Sequence, residues 1–149
     1  MGGIVARTHV ALPADVVAEI KVCLREADQL LAIDHATMSP DDIQERIFNH
    51  IINARESGMD VPEEQADALG CLWADAICRE MKWEWAWLKV DGEEAPGILS
   101  PTRSLAALPI PYIAGLLSNL ESDPTSLLVY NMLKEGGFTD KPGAYSLIG

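Results

Sequence analysis

The stretch of sequence that decides the fold runs from Pro62 to Gly92 and reads PEEQADALGCLWADAICREMKWEWAWLKVDG. In its first part, apolar and small residues recur at the spacing of one helix face: Ala66, Leu69, Gly70, Trp73, Ile77 and Met81. From Trp83 to Val90 the period becomes two, because tryptophans alternate with other residues, which is typical of a β-strand. Asp91-Gly92 is then a strong hairpin signal. The stretch therefore predicts a helix over about 62–81 and a strand that turns back on itself.

Two further helices are predicted before this stretch. Leu12-Pro13-Ala14-Asp15 places a proline and an acid at a helix start, and an apolar stripe follows, which predicts a helix over about 14–35. Ser39-Pro40-Asp41-Asp42 combines an N-cap serine with a proline at the first helical position. Gly58 is typical of a helix end, so a second helix is predicted over about 40–57.

Short strands and two more helices are predicted after the hairpin turn. A second strand over about 95–100 and a third from about Arg103 to Leu108 would complete an antiparallel meander. Pro109 and Pro111 open a helix, and a last helix lies between Ser122-Asp123-Pro124 and Gly136-Gly137.

The predicted fold class is α+β, since helices and strands are segregated along the chain and do not alternate. N-terminal helices come first, a small antiparallel β-meander follows over about 83–108, and C-terminal helices come last. We expect a single domain over 1–149, with irregular ends at 1–12 and 138–149.

Two features of the deciding stretch bear on packing. Gly70 lies in mid-helix, where glycine costs about 1 kcal/mol relative to alanine, so we expect a neighbouring backbone to approach it closely. Trp83, Trp85 and Trp87 fall on one face of the strand, and Ala86, Leu88 and Val90 fall on the other. We expect the tryptophans to face the core, with a partly exposed interface anchor or a carbohydrate platform as alternatives.

The composition excludes several classes of protein. Of 149 residues, 48% are apolar, and 23 acidic residues against 11 Lys and Arg give a formal net charge of −12. A disordered chain would be poorer in apolar residues. Nucleic acids and anionic membranes require clustered Lys and Arg, so neither is an expected partner.

The sequence also predicts a cytoplasmic location. It begins Met1-Gly2-Gly3-Ile4, with no basic leader before a long apolar run, and no segment reaches the ~18 apolar residues of a membrane span. Cys71 and Cys78 are too far apart along one helix to form a disulfide. We expect all three cysteines, including Cys23, to be buried free thiols, which is consistent with a reducing compartment.

No catalytic signature is found in the sequence. His9, His35 and His50 lie in no zinc-binding or catalytic motif, and the serines and glycines form neither a nucleophile elbow nor a phosphate-binding loop. Adjacent acids such as Asp41 and Asp42 do not face each other on a helix, so they are poor acid–base pairs. We therefore expect no enzymatic activity, no cofactor and no metal.

The acidic residues are concentrated at the starts of the second and third helices. Between residues 34 and 45, and again between 56 and 67, the chain contains no Lys or Arg. Solubility through net charge is one explanation. The other is a docking surface for a basic partner. The candidate partner-binding residues are Asp41, Asp42, Glu45, Asp60, Glu63, Glu64 and Asp67, followed by Asp91, Glu93 and Glu94 at the hairpin.

Residues 69–75, LGCLWAD, and residues 81–85, MKWEW, carry a family resemblance. The pattern is a helix with Leu-Gly and a large apolar residue, followed by a Trp-containing strand, a meander and a proline before a helix. This pattern resembles that of a family of small bacterial domains of unknown function. Such domains are similar to immunity proteins of polymorphic toxin systems, including those paired with type VI secretion effectors. The chain has Ala74 where the family often has glycine.

The resemblance implies a small, non-catalytic protein that binds and neutralises a cognate toxin. A cytoplasmic immunity protein would meet a toxin acting in the cytosol, such as a nuclease or an enzyme that consumes nucleotides or NAD. An acidic surface could occlude the basic active site of such an enzyme. The alternatives are a non-enzymatic adaptor or chaperone of a secretion or regulatory system, and a small-molecule-binding domain with the tryptophans as its wall.

Overall fold

The computed structural model describes residues 8–58, 60–90, 92–119, 121, 123–136 and 146–148. Five helices lie within these residues: α1 (Ala14–Leu31), α2 (Pro40–Ser57), α3 (Glu63–Met81), α4 (Pro109–Ser118) and α5 (Ser126–Lys134). Five strands accompany them: β1 (Thr8–Val10), β2 (Glu84–Val90), β3 (Glu93–Leu99), β4 (Leu105–Ala107) and β5 (Ser146–Ile148). The α+β class and the central meander are thereby confirmed. No described helix is long and apolar enough to cross a membrane.

The strands form one sheet in the order β1-β2-β3-β4-β5. The first four strands are antiparallel neighbours, and β5 runs parallel to β4. The prediction of irregular ends was wrong at β1 and β5, which lie within 1–12 and 138–149. Each of these strands pairs with an outer strand of the meander and bonds backbone groups that would otherwise need another partner. The other residues of the C-terminal end, and residues 1–7, lie outside the described residues.

Local signals account for the helix boundaries that match the prediction. The Ser39 hydroxyl accepts a hydrogen bond from the Asp42 N–H at 3.2 Å, and Gly58 ends α2 with a φ of 67°. In contrast, α1 ends at Leu31, four residues before the predicted position. Ala32 adopts a left-handed conformation, and the Asp28 carboxylate accepts the N–H of His35 at 2.9 Å, which closes the helix without a glycine.

Helix α3 is the centre of the core. Leu69, Leu72, Trp73 and Ile77 are fully buried, and α1, α2 and α4 pack around them. A Cβ atom on Gly70 would lie 2.9 Å from the Cα of Ile110, which is closer than real Cβ contacts occur. The predicted close approach of a backbone at Gly70 is therefore confirmed, and the backbone is the start of α4.

Both faces of β2 contribute buried residues. Trp83 is buried in the main core, as predicted, whereas Trp85 and Trp87 are half-buried. Trp85 packs against the main core. On the opposite face, the buried residues of the sheet form a second apolar cluster: Ala86, Leu88, Val90, Leu99 and Ala106.

Candidate partner-binding surface

The two acidic clusters lie at opposite ends of an antiparallel helix pair. Gln44 of α2 donates its amide to the carbonyl of Trp73 at 3.0 Å, and His50 lies 3.2 Å from the Gln65 amide oxygen. The earlier residue of α2 thus contacts the later residue of α3, so the two helices are antiparallel and the start of each lies near the end of the other. Because His50 lies ten residues after Pro40 and its partner Gln65 lies two residues after Glu63, the two starts are separated by roughly 18 Å along the axis. We call Asp41, Asp42 and Glu45 the α2-start cluster, and Asp60, Glu63, Glu64 and Asp67 the α3-start cluster.

In the α2-start cluster, Asp41 forms tertiary contacts that hold α5. Its Oδ1 atom accepts hydrogen bonds from the Tyr130 hydroxyl at 2.6 Å and from the Lys134 Nζ at 2.7 Å. The hydrogen bonds from Lys134 and Tyr130 lower the pKa of the Asp41 carboxyl. Lys134 also lies 3.8 Å from Glu80 of α3. A positive charge therefore already compensates this end of the helix pair, where Asp42 and Glu45 are exposed.

The α3-start cluster has no ion pair of this kind among the described residues, although Arg55 lines the same groove as Asp60 and Glu63. Asp60, Glu63 and Glu64 are exposed and Asp67 is half-buried. No ion pair in the described part of the chain includes any of these four carboxylates. Burial raises the pKa of the Asp67 carboxyl, and the charges of Glu63, Glu64 and Glu26 raise it further. The negative charges at this helix start consequently repel one another.

Glu26 of α1 extends the α3-start cluster, although the sequence analysis did not single it out. An open groove of about 320 Å³ between α1 and α3 is lined by Glu26, Gln29, Leu30, Glu64, Gln65 and Ala68. A larger groove of about 480 Å³ lies beside Asp60 and Glu63, with Arg55 and apolar residues of α3 and α4 in its wall. Glu26 is about forty positions from the cluster in sequence, so only the packing of α1 on α3 reveals it.

The hairpin acids differ from the α3-start cluster. Glu93 and Glu94 are exposed at the start of β3, and Asp91 lies outside the described residues. Lys89 and Glu94 are cross-strand partners, and the Lys89 Nζ lies 3.3 Å from the Glu94 Oε1. Exposed pairs of this kind contribute little to stability, but they reduce the local negative charge.

A histidine and two acids come together between α1 and α2. Asp28, Asp34 and His35 each offer an atom that could ligate a cation, and these atoms lie within 4.8 Å of one another. The Asp28 Oδ2 lies 2.7 Å from the His35 Nδ1, and the Asp34 Oδ1 accepts the N–H of Ala36 at 3.0 Å. These hydrogen bonds account for the cluster as the closure of the loop after α1.

The three cysteines are free thiols, but only Cys71 is fully buried, whereas Cys23 and Cys78 are half-buried. No known protein family, curated protein or solved structure matches the chain. The resemblance to immunity-protein domains therefore stays a prediction.

Proposed function

We propose that the protein is an immunity protein, which uses the α3-start cluster to bind and neutralise a basic toxin that acts in the cytosol. The observation that carries this proposal is a helix start with four carboxylates and no ion pair among the described residues. The −12 net charge and the resemblance of residues 69–85 to immunity-protein domains support it.

The electrostatics of the α3-start cluster favour a basic partner. Burial, and after it the charges of Glu63, Glu64 and Glu26, raise the pKa of Asp67, so the free protein holds these charges together at a cost in stability. Lysine or arginine side chains of a partner would relieve that repulsion. They would also accelerate association, because complementary charge steers encounter.

The expected toxin is an enzyme with a phosphate-bearing substrate. A nuclease, or an enzyme that consumes nucleotides or NAD, needs basic groups in its active site to hold phosphates. Carboxylates at the start of a helix could take the places of those phosphates and block the site. Asp42, Glu45, Glu93 and Glu94 would add long-range attraction, because their side chains are exposed elsewhere on the surface.

A small-molecule-binding function is the second candidate. The groove of about 480 Å³ beside α3 has an apolar wall that includes Val61, Ala66 and Leu117, and it has charged groups at Arg55 and Asp60. Such a mixed lining is typical of ligand pockets. Binding of a metabolite that protects the protein against thermal unfolding, in the absence of any protein partner, would favour this function.

Co-expression tests the proposal most simply. The candidate partner is the product of the gene next to this one, produced alone and then together with this protein. We expect it to inhibit growth alone and to form a stoichiometric complex that restores growth. A neighbouring product that is harmless, or whose toxicity persists although both proteins are produced, would contradict the proposal.

Charge reversal then tests the surface. We expect Asp60→Lys, Glu63→Lys and Glu64→Lys together to weaken the complex about 100-fold at low salt, since each lost attraction is of the order of 1 kcal/mol. The matched control is Glu121→Lys, Asp123→Lys and Glu135→Lys, which changes the net charge equally at exposed positions elsewhere. Equal weakening by both triple variants would mean that only the overall charge matters.

A further inference from the structure

The larger groove beside the α3-start cluster has an apolar floor. Its volume is about 480 Å³, and it lies where the end of α2, the start of α3 and the end of α4 meet. The floor is formed by Ala54 of α2, Val61 and Ala66 around the start of α3, and Ala114 and Leu117 of α4. Because three of these five residues are alanines, the side chains leave open space above the floor.

The rim of this groove is predominantly negative. Asp60 and Glu63 are exposed at its edge, whereas Arg55, in the last turn of α2, supplies one positive charge. Helix α4 also ends at the groove, and its last turn has no basic residue to compensate the partial negative charge of a helix C-terminus. The partial positive charge at the start of α3 is offset by the first-turn acids of that helix. The groove consequently favours a positively charged occupant.

An apolar floor below a negative rim matches one kind of protein side chain. Lysine and arginine each combine an aliphatic stem with a cationic head, so the stem packs on apolar surface while the head reaches polar groups. We propose that the groove receives a lysine or arginine side chain of the basic partner. Its stem lies on Val61, Ala66 and Leu117, and its head lies between the carboxylates of Asp60 and Glu63. This inference rests on the proposed function and adds the place where one partner residue inserts.

Insertion into the groove differs from long-range attraction in its response to salt. Contact between an aliphatic stem and the floor depends on apolar area and not on charge. By contrast, Glu64 of the same cluster lines the smaller groove between α1 and α3, so its attraction for the partner acts at a distance and is screened by salt. Filling the groove should therefore weaken the complex at every salt concentration, whereas Glu64→Lys should weaken it mainly at low salt.

A titration of the free, full-length protein tests the groove without a partner. The probes are pentylammonium, 1-pentanol and pentanoate, which have equal numbers of carbon atoms and differ in charge. We expect pentylammonium to shift the amide NMR signals of Ala66, Ala114 and Leu117 at millimolar concentrations, 1-pentanol to bind several-fold more weakly, and pentanoate not to bind. Equal binding of all three probes, or strongest binding of pentanoate, would overturn the proposal, because the rim would then not select a cation.

Two variants that fill the groove test the insertion in the complex with the neighbouring gene product. Ala114→Met narrows the groove from α4, and Ala54→Met narrows it from α2, so one variant suffices if the other does not fold. Gly115→Met is the matched control, because Gly115 is exposed and nothing lies within 4 Å of a Cβ added there. We expect each groove variant to weaken the complex about tenfold between 50 and 500 mM salt, and the control to weaken it less than about twofold.

The outcomes separate this inference from the proposed function. If the wild-type complex forms and neither folded groove variant weakens it more than the control does, the insertion is overturned while the immunity function stands. If the wild type forms no complex with the neighbouring gene product, the proposed function fails, and the pentylammonium titration decides whether the groove selects cations.

Discussion

The starts of α2 and α3 have nearly the same sequence pattern but different surroundings. Pro40-Asp41-Asp42 and Pro62-Glu63-Glu64 each place a proline before two acids in a first helical turn. In the first case, Tyr130 and Lys134 of α5 bind Asp41. In the second, the acids lie beside further acids, Asp67 and Glu26. The same local pattern thus supports the fold at one end of the helix pair and leaves excess charge at the other.

The largest expected effect comes from disturbing α3, on which both helix starts depend. Gly70→Ala would place a methyl group 2.9 Å from the Ile110 Cα. We expect it to destabilise the protein by about 2–3 kcal/mol, because α4 must move away from α3, although alanine has the higher helix propensity. Urea unfolding measures the effect. Gly115→Ala on α4 is the control, because nothing lies within 4 Å of its added Cβ. A Gly70→Ala protein as stable as the wild type would contradict the packing described for α3 and α4.

Removing the Asp41 charge should destabilise the protein, because it disturbs the compensated start of α2. Asp41→Asn weakens the hydrogen bonds to Tyr130 and Lys134, and we expect it to cost roughly 0.5–1 kcal/mol at neutral pH, since the site is exposed. Asp42→Asn is the neighbouring control, with a smaller loss.

Acid unfolding tests whether the charge of Asp41 is the cause of this stabilisation. The pKa of Asp41 is lowered in the folded protein, so its stabilisation is present above the unfolded value of about 3.9 and is lost as the pH falls through the folded pKa. Wild type and Asp41→Asn should therefore converge in stability below about pH 4. A difference that persists unchanged at pH 2 would show that the charge of Asp41 is not responsible.

The smallest expected change in stability is a gain, and it comes from neutralising Asp67. Asp67 has a raised pKa, so its ionised form destabilises the folded state above that pKa, and this penalty is relieved as the pH falls through it. We expect Asp67→Asn to stabilise the protein by a few tenths of a kcal/mol at neutral pH and low salt, after allowing for solvent screening. Thermal unfolding measures the gain, which should shrink at 500 mM salt, where the Debye length is only about 4 Å. Destabilisation by Asp67→Asn would remove the distinction between the two helix starts.

The sequence predicts the parts of the fold that local signals control. Ser39, Pro40 and Gly58 define α2 within the chain itself, and the change of period at Trp83 marks the passage from α3 to the sheet. Strands β1 and β5 were not predicted because each has only three residues, too few to show a clear alternation of apolar and polar side chains. The end of α1 was predicted four residues too late because Ala32, and not the usual glycine, adopts the left-handed conformation that ends the helix.

The candidate site was predictable only in its residue types. The acids of α2 and α3 are visible as runs without Lys or Arg. Whether those acids are compensated depends on residues far away in sequence. Lys134 lies 93 positions after Asp41, and Glu26 lies 41 positions before Asp67. Such pairings arise from tertiary packing, and neither periodicity nor composition contains them.

The most direct test of the account compares the two helix starts in one binding measurement. The dissociation constant of the complex with the neighbouring gene product is measured from 50 to 500 mM salt for three proteins. These are the wild type, the triple variant Asp60→Lys, Glu63→Lys and Glu64→Lys, and the variant Asp42→Lys with Glu45→Lys. We expect about 100-fold weaker binding and a smaller salt slope for the triple variant, and less than about threefold weakening for the double variant. Losses of the same size at both helix starts, or a larger loss at α2, would contradict the account.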